Sequence, residues 1–460
     1  MSFSFGRIAD GLEKLSRRKR NQTELSGKKT IRKVDMNKRQ RTLAAAAVFI
    51  IFGAGVISCV HNTDDEEESN EQTTVGEEIQ VNSTNNTVKV TSSTELAKEI
   101  AIGFNLGNTL DATSSSGVNS ETSWGQPRTT KEMIDGIKSA GFKTIRLPVS
   151  WHNHIDDTSS YTINAEWLSR VKEVVDWAYQ DGLYIILNTH HDNAENASEV
   201  VSGSALYHPT SAAYSESSKF LKSVWTQIAS AFNNEYDEHL IFEVLNEPRL
   251  TGTNFEWWFD ANSSVCQEGA KVLKSLEQDC LDAIRATGGN NASRYVLIPA
   301  LSANPDAALS DCFALPSDSA DDRLIVSVHS YRPYTFAMYD ANNIDTTFDS
   351  ADEKALKSDF EKLYNKFTKK GVGVVIGETS ATNKDNLEER VKWAKYFFGT
   401  AYEYGMPSII WDNGAYAVST TSGEQHGYYN RNAQTWYFPT MIDAAMSAVG
   451  ITSGKLTASN

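Results

Sequence analysis

The sequence predicts an α/β chain whose body is a single (β/α)8 TIM barrel, preceded by a membrane-targeting segment and a disordered tether. Three observations lead there. From about residue 96 onward, short apolar runs alternate with helical patterns, as repeated βα units around a parallel sheet require. Eight such runs can be counted, and residues 96–455 give them the length of a barrel enlarged by loop insertions. No GxGxxG or P-loop pattern follows any run, which removes support from the nucleotide-binding open sheets.

Residues 1–42 hold 13 Lys and Arg against four Asp and Glu. The whole chain has a net charge of −16, so the remainder carries −25. A body this acidic repels phosphate backbones, so nucleic acid is not expected as a partner. Residues 43–60, Leu43 to Val60, form an uncharged apolar run of 18 residues, at the lower edge of what spans a bilayer. Its end, Val56, Ile57, Ser58 and Cys59, resembles a bacterial lipobox and makes Cys59 a lipidation candidate; a start at Met36 would give an ordinary lipoprotein signal. The alternative is a single-pass anchor with a basic cytoplasmic tail. Either reading puts the body at the extracellular face of the membrane, or secreted, because flanking cations resist translocation. Residues 61–95 are acidic and rich in Ser, Thr and Asn, too poor in apolar area to offset ordering entropy, and are expected to form a mobile tether.

The eight runs are 102–108, 143–151, 183–191, 240–248, 295–302, 323–331, 372–380 and 407–414. Each is continuously apolar and turns polar at its C-terminal end, as a strand buried on both faces does before entering a loop. Helical faces lie between them. In 165–182, Trp167, Leu168, Val171, Val174, Val175 and Ala178 recur at period 3.6 and Gly182 stands at the C-terminus. Stretches 213–234 and 352–371 repeat the pattern, the second ending at Gly371, and a last helix covers 439–449.

In such a barrel the chemistry sits where strands end at the C-terminal mouth. Asn105 and Asn108, Arg146, His190 and His191, Asn246 and Glu247, His329 and Tyr331, Glu378, and Trp411 all fall there. One Glu at a strand end is more often a salt-bridge partner than a catalyst; two carboxylates converging with this polar set are not so easily explained. Glu247 and Glu378 facing across a cavity can cleave a glycosidic bond, one as acid and one as nucleophile or base.

These motifs resemble glycoside hydrolase family 5, the cellulase-like retaining barrels, across nearly all of residues 96–450. Asn246, Glu247 and Pro248 match the NEP motif, in which the Glu is acid/base and the Asn contacts the sugar 2-hydroxyl. Glu378 in IGETS matches the nucleophile. Arg146 in IRLPVSW, His190 in LNTHH, His329 and Tyr331 in VHSY, and Trp411 in WDN match the remaining active-site positions. FNLGNTLD, TSWGQP and VSWHNH resemble bacterial endoglucanases acting on β-1,4-glucans. The resemblance implies an endo-acting cellulase; a xyloglucanase, lichenase or mannanase of the same family is the alternative, and a non-catalytic glycan-binding barrel is the rival from another class. It also assigns His190 to hydrogen bonding and His191 to the sugar-facing wall.

Burial beside Glu378 should raise the pKa of Glu247, while Arg146 and Tyr331 keep Glu378 ionised. The expected carboxyl separation is about 5–5.5 Å, with retention of anomeric configuration. No metal or cofactor is expected: His190, His191 and Asp192 lack the helical spacing of HExxH. Trp411 and Trp124 are candidate sugar platforms. Trp151 reads as wall or packing, Trp257 and Trp258 as an extension of the groove or a pin for their loop, and Trp167 and Trp177 as packing. His152 and His154 could reach subsites. Cys266, Cys280 and Cys312 predict no particular disulfide, and a monomer is expected.

Overall fold

In the computed structural model, which describes residues 86–89, 91–338, 343–419 and 424–459, each of the eight runs becomes a strand. These are β1 (Ile102–Leu106), β2 (Thr144–Leu147), β3 (Tyr184–Asn188), β4 (Leu240–Glu243), β5 (Val296–Pro299), β6 (Leu324–His329), β7 (Gly373–Thr379) and β8 (Ser408–Asp412). All are buried along their length except at Trp411. They pair in parallel, in sequence order, and β8 closes on β1. A strand covered by barrel interior on one face and helices on the other has no solvent side, hence the unbroken apolar runs.

Around the barrel lie α2 (Lys131–Ala140), α3 (Ala165–Gln180), α4 (Tyr214–Ala231), α5 (Ser264–Ala286), the short α6 (Pro305–Leu309), α7 (Ser350–Lys366), α8 (Leu387–Glu403) and α9 (Pro439–Ala448), with α1 (Ser93–Ile100) preceding β1. On α3 the buried apolar set is Trp167, Val171, Val174, Val175 and Ala178, the predicted face less Leu168, with Arg170 buried beside it. Each large side chain there contributes about 1.5–3 kcal/mol on leaving water. Gly182 and Gly371 hold φ of 65° and 85°, the left-handed conformation that ends a helix at little cost for Gly. The helix predicted over 352–371 stops at Lys366 and finishes as a 3-10 turn, Thr368–Lys370.

Ile186, Ile241, Leu297, Ile325, Val375 and Ile409 fill the barrel, and Leu96 and Ile100 of α1 join them from its N-terminal end. That end is plugged, so the opposite end is the mouth. The packed chain also begins earlier than residue 96. Val88 is buried, Asn86 Nδ2 donates to the Tyr179 hydroxyl at 2.9 Å, and Thr91 N donates to the Tyr295 hydroxyl at 3.1 Å. Residues 86–89 and 91–95, assigned to the tether on composition, thus make polar contacts and bury Val88 against the barrel. At the other end, Ser459 N donates to Trp436 O.

Among the described residues no helix is long and apolar enough to cross a membrane. The apolar run 43–60 and Cys59 lie outside them.

Candidate active site

Arg146 organises the mouth. It lies in β2 and is fully enclosed, and a guanidinium held there must have every N–H matched. Its Nε donates to Glu243 Oε2 at 2.8 Å, Nη1 to Asn105 Oδ1 at 2.9 Å and Glu378 Oε1 at 2.7 Å, and Nη2 to Asn246 Oδ1 at 2.6 Å. One cation thus fixes residues from β1, β4 and β7 and from the segment after β4. Glu243 is its second carboxylate partner, itself held by Asn188 Nδ2 at 3.0 Å and Ser327 Oγ at 2.7 Å. Sequence reasoning missed Glu243, Asn188 and Ser327. The signal was a charged residue inside an apolar strand, which cannot be buried without a counter-ion.

The two predicted carboxylates meet over this cation. A ligand oxygen of Glu247, one of Glu378 and a ring nitrogen of His329 all lie within 4.8 Å of one another. His329 Nδ1 is 2.8 Å from Glu247 Oε1 and 3.6 Å from Glu378 Oε2, and the Tyr331 hydroxyl donates to Glu378 Oε2 at 2.9 Å. The β6–β7 register shifts at His329, and a Cβ on Gly377 would stand 3.2 Å from His329 Nε2. A side chain there would crowd both this ring and Ser327 Oγ, 3.1 Å away.

Burial works to raise Glu247, but the hydrogen bond and charge of His329, with Arg249 and Arg146 beyond, hold it below the usual carboxylate range. Burial raises Glu378 against the pull of His329 and Arg146. Burial also disfavours charge on His329, yet Glu378 and Glu247 outweigh it and raise the imidazole. The order anticipated for the two carboxylates is thereby reversed. The reason is His329: an imidazole between two carboxylates favours its own charged form and that of the Glu247 carboxylate it hydrogen-bonds, which raises the ring and lowers Glu247.

His190 is buried and its pKa is pushed well down, by burial first and then by the charges of His191 and Arg146. Val149 N donates to Asn188 Oδ1 at 3.1 Å, which turns the Asn188 amide nitrogen toward His190 Nδ1 at 3.1 Å. Nδ1 accepts, so the neutral ring carries its hydrogen on Nε2. The His190 ring lies parallel to Trp411, 4° apart in plane at 5.9 Å. A Cβ on Gly107 would meet the Trp411 ring at 2.6 Å and Asp412 O at 2.8 Å, so the indole seats against bare backbone. Asn105 Nδ2 donates to Gly377 O at 2.9 Å. His191, one-third exposed, neighbours Trp124, with ring centroids 5.4 Å apart, and Trp124 Nε1 donates to Ser114 Oγ.

Other expectations sort by burial. Trp151 and Trp167 are packing residues, fully buried. His154 stacks on Trp167 and is buried away from the subsites its loop suggested. His152 instead bonds Asp192 Oδ1 at 2.9 Å, which turns Asp192 from the His190–His191 pair. Asp111 approaches that pair instead, with its oxygens already accepting from Asn108 N and Thr109 N. Cys266, Cys280 and Cys312 are free thiols.

The family model Cellulase (glycosyl hydrolase family 5) matches residues 108–417. Endoglucanase A of Clostridium longisporum is 43% identical over 360 residues, 77% of this chain and 65% of that protein. Endoglucanase B of Clostridium cellulovorans is 39% identical over 364 residues, 78% of this chain and 77% of that one. Among solved structures, a mutant glycoside hydrolase 5 lichenase from a Caldicellulosiruptor species, in complex with cellotetraose, superposes with a TM-score of 0.73 at 39% identity, covering 79% of this chain and 97% of that chain. A broad specificity endoglucanase from Ruminococcus champanellensis with bound cellotriose gives 0.70 at 39% identity, covering 78% and 99%. With the barrel, the ordered strand-end residues and these matches together, the chain belongs to glycosyl hydrolase family 5.

Proposed function

We propose that this chain is an endo-acting β-1,4-glucanase that works as a monomer by a two-step retaining mechanism. The observation that carries the reading is the pair of carboxylates with an oxygen of each within 4.8 Å of the other, suited to direct attack and closer than the roughly 6.5–9.5 Å at which an inverting pair leaves room for an attacking water beside the sugar. Glu378, oriented by Arg146 and Tyr331, attacks the anomeric carbon as nucleophile. Glu247 delivers a proton to the departing oxygen as the glycosidic bond breaks. That proton reaches Glu247 from His329 Nδ1 over the 2.8 Å bond. Once Glu378 is esterified its negative charge is gone, and Glu247 then takes a proton from the incoming water as base. Arg146, Asn105 and Asn246 position this machinery; His190 Nε2–H and the free amide nitrogen of Asn246 face the sugar hydroxyls. Trp411, Trp124 and His191 supply apolar wall for the flat faces of the rings.

Glu378→Gln should lose about 10⁴-fold or more in turnover while still binding cello-oligosaccharide. Glu247→Gln should lose polymer hydrolysis yet still form the glycosyl-enzyme from an aryl cellobioside whose leaving group needs no proton. NMR of the first product must show the retained anomer; the inverted one rejects the mechanism. One structural neighbour is a lichenase and another a broad specificity endoglucanase, which favours a second reading in which mixed-linkage glucan is also cleaved. Reducing-sugar release from carboxymethyl cellulose, barley glucan, xyloglucan, mannan and xylan separates the two.

We also infer that residues 43–60 direct the body to the outer face of the membrane, where a lipid on Cys59 holds it. The support is the apolar run and its Val-Ile-Ser-Cys end. Mass spectrometry of the mature N-terminus should find a lipidated Cys59, and an intact residue 36 or 1 ahead of the run would replace lipid by a spanning anchor.

A further inference from the structure

The segment after Glu247 lies on the rim of the mouth between the β3 and β5 loops and is fastened on both sides. Arg249 N donates to Asn193 Oδ1 at 2.6 Å, Ser302 N donates to Pro248 O at 2.8 Å, and Ser302 Oγ donates to Glu256 O at 2.7 Å. Phe255 and Phe259 pack against the core. Between those two anchors, Trp257 and Trp258 remain 58% and 70% exposed. Pinning the loop therefore falls to the Phe residues and the hydrogen bonds. Two neighbouring indoles left in water on a fixed backbone forgo several kcal/mol of burial between them, about 1.5–3 for each large side chain, and such patches mark binding surfaces. Trp257 is also set in place: the Arg249 guanidinium lies 4.5 Å over its ring and is tied to Glu256 Oε1 at 3.2 Å.

Strand order gives this pair its direction. The ring runs β1 to β8 in sequence, so the β4–β5 rim lies diametrically across the mouth from the β8–β1 rim that carries Trp411 and Trp124. The carboxylate that protonates the leaving oxygen, Glu247, stands at the β4 side. From these positions we infer that Trp257 and Trp258 form a platform for the glucan on the leaving-group side of the scissile bond. This rests on the roles proposed above for Glu247 and Glu378 and adds a determinant of substrate length. A chain lying across the mouth then has apolar faces under it on both sides of the bond that breaks.

The test compares two substrates in the purified full chain. Cellohexaose occupies both sides, whereas 2,4-dinitrophenyl β-cellobioside has no sugar beyond the bond and a leaving group that departs without a proton. Replacing both indoles (Trp257→Ala with Trp258→Ala) should lower kcat/KM on cellohexaose about tenfold, leave the aryl cellobioside within about twofold, and shift the cleavage position along cellopentaose. Cellohexaose turnover within about twofold of wild type, or an equal loss on both substrates, overturns the inference. If the wild-type chain cleaves neither substrate, it is the proposed mechanism that fails. Trp258→Ala alone, at a ring 70% exposed, keeps the test valid should Trp257→Ala perturb folding, and about a threefold selective loss is expected of it.

Discussion

His329 is where the chemistry of this mouth is most sharply determined by one side chain. It touches both carboxylates, and their charges raise it while it lowers Glu247. The sign of the resulting pH profile follows. Attack requires ionised Glu378, whose pKa lies above the ordinary 4.5, so activity should be lost as pH falls through a value higher than a free carboxylate's. Bond cleavage requires the proton held between His329 and Glu247, so activity should be lost as pH rises through a value above the ordinary 6.5 of imidazole. In His329→Asn the proton has only the two carboxylates to hold it. The alkaline limb of kcat/KM should move down by about one unit or more, with about a 10²-fold loss at the optimum. An alkaline limb that stays in place while kcat falls would reduce His329 to a structural support. At this scale the sequence named Glu247, Glu378, His329, Tyr331 and Arg146 because polar residues at strand ends have few other reasons to converge. It did not name Glu243: an acid in the middle of an apolar run reveals its partner only when Arg146 is seen from the neighbouring strands.

The elements were legible to the extent that burial dictates composition. All eight strands fall inside the apolar runs, since a strand covered on both faces has little freedom of residue type. Helices α3, α4, α7 and α9 showed in their periodic faces; α7 was placed a few residues late at its end, where Gly371 marks the end of the following turn rather than of the helix itself. Helix α1 went unread because only Ser93, Leu96, Ala97 and Ile100 are buried in eight residues, a short face preceded by a segment with tether-like composition. The close approaches at Gly107 and Gly377 were equally hidden. Each is a small residue in a strand end like several others, and what makes it necessary is the Trp411 ring or the His329 ring arriving from a different strand. Local pattern records what a residue does within its own element, and these two act on the next one.

At the scale of the whole molecule, pH also acts through groups far from the mouth. Glu277 of α5 is enclosed by Leu273, Ala300, Leu301 and Phe313, with Lys274 and the Cys312 thiol at the edge of the same small cavity. Its Oε1 has no hydrogen-bond partner. Burial raises its pKa well above the ordinary carboxylate value, and Lys274 pulls it back only in part; Cys280, one turn along the helix, is raised by the same burial and carries no charge to offset it. A group whose folded pKa exceeds its unfolded one supports folding fully below the unfolded value, near 4.5, and loses that support as pH climbs toward the folded value. Each unit of that climb costs about 1.4 kcal/mol until the carboxyl ionises or the fold opens. Glu277→Gln keeps the shape and removes the titration, so it should match wild type near pH 4.5 and become progressively more stable than wild type as pH climbs above it, read as a widening gap in Tm. Self-repulsion of the acidic body grows over the same range in both proteins, so the difference between their Tm curves isolates Glu277. Parallel curves from pH 4.5 to 8 would mean that the carboxyl finds a partner or water in solution; curves that diverge upward in pH would identify this one buried proton as a determinant of stability for the whole barrel.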